Sequence, residues 1–371
     1  MTGLNNGLSN AHVSRPLRAG VFAPIPTFFL GGSQDLDIST FQSHVLYLAK
    51  TGMGILLCGS MGEAHHLEPE ERVTLIKAAR QVLDNNGLTT VPIICGTGTG
   101  TTRQTIALTK EAAEAGADYS IVITSGYFAG ALDYPAIKAF FLEVAEASPI
   151  PVMIYNYPGA AGGIDMDSDL IESIARESNN ICGVKLTCGN VGKLVRIAAG
   201  TSVPSFAKNY PRKNPDAPFL VLGGFADFIL PSSFSRAHGA IVGLGNVAPN
   251  ALVRLTQLSF EAVTDLSVLP EAQRLQDVIA RGDRTIALYG IAGTKFLLEK
   301  IHGYGGAPRR PLQRLTKDRE EQLWAHENVQ ALLELERSCE LLSAKNATVN
   351  GIPTPPQSVA GEWPTEVPVS A

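Results

Sequence analysis

The sequence predicts a (β/α)8 barrel, because eight short apolar runs, each followed by a segment of helical periodicity, alternate from about residue 20 to residue 264. Strands that alternate with helices in this way form parallel sheets, and eight repeats favour a closed barrel over an open sheet. The chain of 371 residues would also suffice for two ordinary domains. With 45% hydrophobic residues, it can fill a large core.

The predicted strands are short and almost wholly apolar, as expected for strands buried on both faces of a barrel wall. They cover 20–25, 54–58, 91–95, 119–124, 151–155, 181–185, 219–222 and 240–244. The helices predicted after them cover 39–51, 68–85, 101–115, 133–147, 167–177, 189–199, 226–237 and 248–264. Asp133 and Asp167 stand where they can cap helices. Gly52, Gly87 and Gly116 follow helices, where a left-handed residue commonly ends the helix.

Four segments of the chain do not belong to the strand–helix repeat: its two ends, a C-terminal helical region and an insertion. We predict a disordered arm over residues 1–17, the barrel over 18–265, and a disordered tail over the Pro-rich end, 346–371. A helical region is predicted over 266–345, and it could cover one end of the barrel or mediate assembly. The Pro-rich segment 201–218 predicts an insertion before the seventh strand.

Composition argues against several classes of protein. A net charge of −5 without a long basic run argues against binding to nucleic acid. No apolar stretch reaches the roughly 18–20 residues needed to cross a bilayer, and no secretion signal is visible, so we predict a cytoplasmic protein without membrane contact. His65-His66 lacks further ligands at metal spacing, so no metal site is expected. The cysteines are odd in number, lack zinc spacing and are expected to be reduced: Cys58, Cys95, Cys182, Cys188 and Cys339.

Lys185 is the most informative residue, since it lies near the end of the apolar run 180–186. A buried ammonium is costly, so such a lysine is either paired or neutral, and a neutral lysine can form a Schiff base with a carbonyl. Strand alternation places Ile181, Gly183 and Lys185 on one face, with 182, 184 and 186 on the other, and Gly183 leaves room beside the lysine. The alternative is that Lys185 extends from the strand end into solvent.

Other polar residues follow strands at the same end of the barrel, where (β/α)8 enzymes have their active sites. Tyr155 ends the fifth strand with its side chain predicted inward, and Tyr127 follows the fourth. In the loop 59–63, glycines allow backbone N–H groups and the Ser60 hydroxyl to approach a carboxylate or small anion. With Lys185, these groups suit an enzyme that acts on a 2-oxo acid. Packing roles for the tyrosines and an ordinary turn at 59–63 remain alternatives.

Two further motifs have weak support. Ser60 resembles the serine of a nucleophile elbow, but Cys58 stands where that motif requires Gly, and no convincing Asp/His pair follows. The run Gly96-Thr97-Gly98-Thr99-Gly100 resembles a dinucleotide loop, but its spacing differs from G-x-G-x-x-G, and Asp118 opens the next strand instead of closing it. We therefore expect neither a serine hydrolase nor a nicotinamide site.

Taken together, the segments resemble the dihydrodipicolinate synthase / N-acetylneuraminate lyase family of class I aldolases over about residues 18–305. The likeness rests on short motifs that occur in the same order and at the same strand positions. They are Gly20-Val21-Phe22-Ala23-Pro24-Ile25-Pro26-Thr27, Gly59-Ser60-Met61-Gly62-Glu63, Gly96-Thr97-Gly98, Tyr155-Asn156-Tyr157-Pro158, and Gly183-Val184-Lys185 with Thr187 and Gly189-Asn190.

The resemblance implies catalytic roles for four residues. Lys185 would be the Schiff-base lysine, with no metal or organic cofactor besides that covalent imine. Tyr155 would relay protons to and from the substrate hydroxyl and the carbinolamine. Ser60 would link two tyrosines in a proton relay. Tyr127 would reach into the site of a neighbouring subunit, which implies a homodimer or a homotetramer.

The resemblance also implies how the small-molecule 2-oxo acid is bound. Ser60 and the Met61 amide, in the loop that begins at Gly59, would hold the carboxylate of pyruvate. Three further residues would line the pocket: Gly183, Gly223 and Ile241.

Departures from the family pattern bear on the substrate. Dihydrodipicolinate synthases carry an arginine after the strand-five tyrosine, and Ala160 stands in its place here. A small neutral residue cannot bind a second carboxylate. Met61 replaces one threonine of the usual Thr-Thr pair, and Lys185 is followed by Leu-Thr-Cys, not Glu-Ala. These features resemble fungal aldolases that cleave 2-keto-3-deoxy sugar acids.

We therefore expect a class I aldolase that reversibly cleaves a 4-hydroxy-2-oxo acid to pyruvate and an aldehyde. The substrate would be a 2-keto-3-deoxy sugar acid or 4-hydroxy-2-oxoglutarate. Two alternatives remain: a dihydrodipicolinate synthase-like condensation of pyruvate with an aldehyde, and a barrel without turnover that acts as a binding scaffold through its C-terminal helices.

Overall fold

The computed structural model describes residues 14–350, with side chains up to residue 344, and its centre is a closed barrel of eight parallel strands. Each strand is hydrogen-bonded to the next, and the eighth returns to the first. The strands are β1 Gly20–Pro24, β2 Gly54–Leu57, β3 Ile93–Gly96, β4 Tyr119–Ile123, β5 Val152–Asn156, β6 Ile181–Leu186, β7 Leu220–Gly223 and β8 Gly239–Ile241. The predicted fold class is confirmed, with strand ends differing by a few residues.

Helices follow the strands as predicted, with differences near the seventh and eighth strands. The segment 201–218 contains a short extra helix, and the predicted helix 226–237 forms only a 3-10 turn, Ala226–Phe228, followed by one short helix. The helices are α1 Ile38–Lys50, α2 Pro69–Asn85, α3 Thr102–Ala115, α4 Tyr134–Ala147, α5 Ser168–Glu177, α6 Val191–Thr201, α7 Pro204–Asn209, α8 Ile229–Ser233, α9 Pro249–Glu261, α10 Leu269–Ala287, α11 Gly290–His302, α12 Lys317–Ala325 and α13 Glu327–Asn350.

The helix caps follow from local side chains. The Asp133 carboxylate accepts a hydrogen bond from the Ala136 N–H at 2.9 Å, and the Asp167 carboxylate accepts one from the Leu170 N–H at 2.8 Å. Each cap satisfies an N–H group that has no partner within the helix. Left-handed glycines end three helices as predicted, at Gly52, Gly87 and Gly116.

The N-terminal end of the barrel is closed by residues 14–17, which were predicted to be disordered. Leu17 is 2% exposed among the inward-facing side chains, and its N–H bonds the Asp216 carbonyl at 2.8 Å. The Tyr119 phenol donates to the Arg15 carbonyl at 2.8 Å. The prediction was wrong for these residues because a polar sequence does not reveal a single apolar side chain that fits the barrel opening. The rest of the predicted arm lies outside the described residues.

Strand β6 contains a bulge that corrects the predicted side-chain alternation. Val152 pairs with Ile181 but Met153 pairs with Gly183, so Cys182 is the extra residue on β6. Cys182 therefore packs inside the barrel, and Ile181 packs outside against the helices, the reverse of the prediction. Lys185 keeps its predicted inward position, because the bulge lies before it.

The C-terminal helices share a hydrophobic core with the first half of the barrel. Leu275 and Ile279 of α10 and Leu332 of α13 belong to the same buried cluster as Val45 and Ile55. The predicted extra C-terminal helices are confirmed as part of the fold, and they lie between Leu269 and Asn350. The first five residues of the predicted tail, 346–350, continue α13, and the remainder lies outside the described residues. No helix in the described part of the chain is both long enough and apolar enough to span a bilayer.

Candidate active site

Lys185 lies at the C-terminal end of the barrel with its side chain directed into the interior. It is 5% exposed, and it pairs in register with Tyr155 on β5 and with Leu222 on β7. Its Nζ lies 4.3 Å from the centroid of the Tyr155 ring. Within residues 14–344 no carboxylate forms an ion pair with it. The lysine is thus enclosed next to a phenol and does not extend into solvent.

The environment of Lys185 lowers the pKa of its ammonium group. Burial disfavours the ammonium form and lowers the pKa of Lys185 from 10.5 to about 7. An amine with that pKa is about half uncharged at neutral pH. An uncharged amine has the lone pair needed to attack a carbonyl carbon, so Lys185 can act as a nucleophile at neutral pH.

Tyr155 places a phenol beside that amine. It is 7% exposed, and its ring stacks on that of Tyr157 with centroids 5.6 Å apart. Burial raises the pKa of Tyr155, and the nearby hydroxyls of Ser60 and Thr187 oppose this shift. The Thr187 hydroxyl is buried and makes no aligned hydrogen bond to a described atom. Tyr155 therefore stays protonated at neutral pH and can donate a proton towards the lysine.

The loop after β2 is held in a strained backbone conformation. Cys58 and Glu63 have φ angles of 51° and 56°, which are left-handed and uncommon outside glycine. Gly62 is required between them, because a Cβ there would lie 2.9 Å from the Ile25 carbonyl oxygen. Between these fixed points the loop presents Ser60, which is exposed, and Met61, which is half-buried.

Gly183, Gly223 and Ile241 occupy three different environments. A Cβ on Gly183 would lie 2.5 Å from the Leu220 carbonyl oxygen, so this glycine permits the close approach of β7 and does not simply leave space beside the lysine. A Cβ on Gly223 would meet the Phe228 ring at 2.7 Å, on the outer side of the barrel wall. Ile241 belongs to the inner cluster. Only Ile241 thus directs a side chain into the barrel.

Tyr127 does not join this group within one chain. It is 89% exposed and packs edge-to-face on Phe128, with centroids 5.0 Å apart and Phe128 itself 66% exposed. The structure therefore brings together Lys185, Tyr155 and Ser60 from the predicted residues, and it leaves Tyr127 on the surface.

Three residues of this region were not predicted as site residues. Thr187 follows Lys185 by two positions, and this spacing could have indicated it. Lys295 and Arg309 contact Glu63 in the loop after β2: the Lys295 Nζ donates to Glu63 Oε1 at 2.6 Å, and the Arg309 N–H donates to Oε2 at 2.8 Å. They are more than 200 residues from Glu63, so no local pattern could have indicated them.

His65 and His66 lie beside the same loop without forming a metal centre. His66 Nδ1 is 3.1 Å from Glu63 Oε2, and this carboxylate also binds Lys295. Within the described residues, no group of three or more His, Cys, Asp and Glu side chains could hold a metal ion. The same part of the chain contains five free cysteines, four of them buried.

The chain is similar to known proteins over most of its length. The model of the dihydrodipicolinate synthetase family matches residues 18–331. L-threo-3-deoxy-hexylosonate aldolase from Hypocrea jecorina is 40% identical over 323 residues, which cover 87% of this chain and 98% of the relative. The probable mitochondrial 4-hydroxy-2-oxoglutarate aldolase from Emericella nidulans is 40% identical over 328 residues, covering 88% and 99%. A solved structure of a dihydrodipicolinate synthase family protein from Coccidioides immitis matches with a TM-score of 0.71 and 31% identity, covering 89% and 99%.

Proposed function

The chain belongs to the dihydrodipicolinate synthetase family, and from this premise we propose that it is a class I aldolase that reversibly cleaves a 4-hydroxy-2-oxo acid to pyruvate and an aldehyde. The observation that carries the proposal is Lys185, a buried amine whose pKa is lowered to about 7 and which lies against the Tyr155 ring. Relatives that are 40% identical over nearly their whole length are named as aldolases for such substrates, which supports the same reaction class.

The reaction begins with attack of the Lys185 amine on the 2-oxo carbon. The carbinolamine loses water to give an imine, and the protonated imine then withdraws electrons from the C3–C4 bond. Tyr155 donates its proton to the hydroxide that leaves the carbinolamine and becomes a phenolate. With help from substrate or water, this phenolate then removes the proton of the 4-hydroxyl group, and the C3–C4 bond breaks to release the aldehyde. The remaining enamine is protonated at C3, and hydrolysis of the imine releases pyruvate and restores the amine.

The loop after β2 is assigned to the carboxylate of the substrate. Ser60 and the Met61 amide lie between two strained positions, in the loop that follows β2 at the same end of the barrel as Lys185. The Ser60 hydroxyl lies close enough to the Tyr155 phenol to oppose the shift of its pKa. A carboxylate held there would sit beside the amine that attacks its neighbouring carbon.

The exposed aromatic pair supports self-association. Tyr127 and Phe128 are 89% and 66% exposed in the loop after β4, and burial against a second copy would remove this apolar area from water. We infer a homo-oligomer, a dimer or a tetramer, in which Tyr127 contributes to the partner's site. Light scattering of Tyr127→Ala tests this, since loss of association with reduced activity is expected and unchanged association would refute it.

The loop after β5 indicates which aldehyde half the substrate carries. Ala160 is exposed at the end of a 3-10 turn, Pro158–Ala160, and offers neither charge nor hydrogen bond to a second carboxylate. This argues against condensation of pyruvate with an aspartate semialdehyde-like partner. We favour 2-keto-3-deoxy sugar acids, with 4-hydroxy-2-oxoglutarate as the second candidate. A cytoplasmic location stays a prediction, whereas the relatives from Emericella nidulans and Coccidioides immitis are named as mitochondrial aldolases.

Release of pyruvate tests the function directly. The purified protein is incubated with 2-keto-3-deoxy sugar acids and with 4-hydroxy-2-oxoglutarate, and pyruvate is measured. We expect release by the wild type and by Lys110→Met, an exposed lysine on α3, and none by Lys185→Met. Equal activity of Lys185→Met would refute the proposal, and consumption of aspartate semialdehyde with pyruvate would favour condensation instead.

A further inference from the structure

The loop after β2 needs support from outside itself. Its two left-handed residues, Cys58 and Glu63, bracket Ser60 and Met61, and such conformations persist only where the surroundings impose them. Within the loop, the Glu63 N–H bonds the Ser60 carbonyl at 3.1 Å, and the Ala64 N–H bonds the Gly59 carbonyl at 3.2 Å. These two bonds close the turn but do not fix its position relative to the barrel.

The loop is attached to the barrel by the Thr27 hydroxyl, which donates to the Gly62 carbonyl at 2.7 Å. It is attached to the C-terminal region by the Glu63 side chain, which is completely buried. Its two oxygens are bound by the C-terminal region: Oε1 by the Lys295 Nζ at 2.6 Å and Oε2 by the Arg309 backbone N–H at 2.8 Å. Lys295 is 0% exposed on α11 and also donates to the Ala307 carbonyl at 3.2 Å. A buried carboxylate and a buried ammonium stabilise each other here, and neither can move without uncovering the charge of the other.

Arg309 makes further contacts with the barrel beside this ion pair. The Arg309 guanidinium bonds both oxygens of Glu71 at 2.7 Å and also the His66 carbonyl at 2.6 Å. Lys295 Nζ and Arg309 Cζ lie 4.6 Å and 4.3 Å from the centroid of the Phe29 ring. The segment that follows Glu63 is therefore held by Arg309, whose backbone N–H also binds Glu63.

We propose that Lys295 is a positioning residue for the carboxylate subsite, and that the Glu63–Lys295 pair makes the C-terminal helices part of the catalytic unit. This rests on the proposed function, in which Ser60 and the Met61 amide hold the pyruvate carboxylate. The pair fixes the backbone three residues after Ser60, so its loss displaces the donors of that subsite while leaving Lys185 in place. A displacement of about 1 Å in a binding group can cost about 100-fold in rate or affinity.

The experiment measures the pyruvate concentration that gives half-maximal imine formation, trapped with borohydride. Lys295→Met and Glu63→Gln are expected to raise this concentration by about 10–100-fold, while the maximal extent of trapping stays near one adduct per chain. Lys295→Arg, which keeps the charge, should recover part of the affinity. The double variant Lys295→Met/Glu63→Gln leaves no unpaired buried charge and keeps the test available if a single variant does not fold.

Glu336→Gln is the matched control. Glu336 is also a buried carboxylate of the C-terminal region, and it accepts bonds from the Asn250 and Ala251 N–H groups at 3.0 Å and 2.8 Å, without contact to the loop after β2. It should lower thermal stability and leave half-saturation by pyruvate unchanged. If folded Lys295→Met and the double variant bind pyruvate like the wild type, the inference is wrong. If the wild type itself forms no imine, the proposed function is wrong, and this result is distinct from one in which only the variants bind pyruvate normally.

Discussion

Replacement of Lys185 by Met should stabilise the protein by an amount that depends on pH. The folded protein holds this lysine at a pKa of about 7, whereas an unfolded chain has a lysine pKa near 10.5. Between these values the unfolded state binds more protons, so this group makes the wild type less stable as pH falls from about 10.5 to about 7. Met has a similar length and no charge, so the variant lacks this dependence.

The magnitude follows from the shift of the pKa. A displacement from 10.5 to about 7 corresponds to about 4 kcal/mol of unfavourable free energy at pH 7 and about 2 kcal/mol at pH 9. Lys185→Met should therefore exceed the wild type in stability by more at pH 7 than at pH 9, by about 2 kcal/mol. These values are upper estimates, because relaxation and entry of water reduce the cost of burial.

Urea unfolding of both proteins at several pH values is the assay, with equal chain concentrations because association also adds stability. The difference between the two proteins removes the contributions of all other titrating groups. A difference that stays constant from pH 7 to pH 9 would show that Lys185 is charged in the folded protein. The argument for a nucleophilic lysine would then lose its physical basis.

Three further predictions concern the same site. Tyr155→Phe should lower kcat by about 10²–10⁴-fold without loss of fold, because the proton donor is removed, and a kcat close to that of the wild type would exclude the phenol from proton transfer. Gly183→Ala should destabilise the protein by about 1–3 kcal/mol in urea unfolding, since its Cβ would lie 2.5 Å from the Leu220 carbonyl oxygen, and unchanged stability would contradict this packing. The rate of imine formation at low pyruvate should rise with pH through about 7 and then level off, whereas a rise continuing to pH 10 would indicate an unperturbed lysine.

The sequence predicts the barrel well because its strands are buried on both faces and its helices have clear ends. Asp133 and Asp167 cap the helices where expected, and the apolar runs become strands in the predicted order. The bulge at Cys182 was not predictable, because alternation along a strand assumes regular pairing with its neighbour. Leu17 was missed for a similar reason, since its partners are the inward side chains of distant strands.

The chemistry of the site was predictable only where it depends on position along a strand. Lys185 and Tyr155 end neighbouring parallel strands, so their proximity follows from the fold class. The contact of Glu63 with Lys295 joins residues 232 apart and depends on how α11 packs, for which the sequence has no local signal. Gly223 shows that a residue at the end of a barrel strand need not face the site, because a Cβ on it would meet the Phe228 ring outside the barrel wall.

Borohydride reduction in the presence of pyruvate tests the central claim most directly, because it converts an imine on Lys185 into a stable secondary amine. Peptide mass spectrometry should show a mass increase equal to that of pyruvic acid less one oxygen atom, located on Lys185 and absent without pyruvate. An unmodified Lys185, or an adduct on surface lysines alone, would contradict the account.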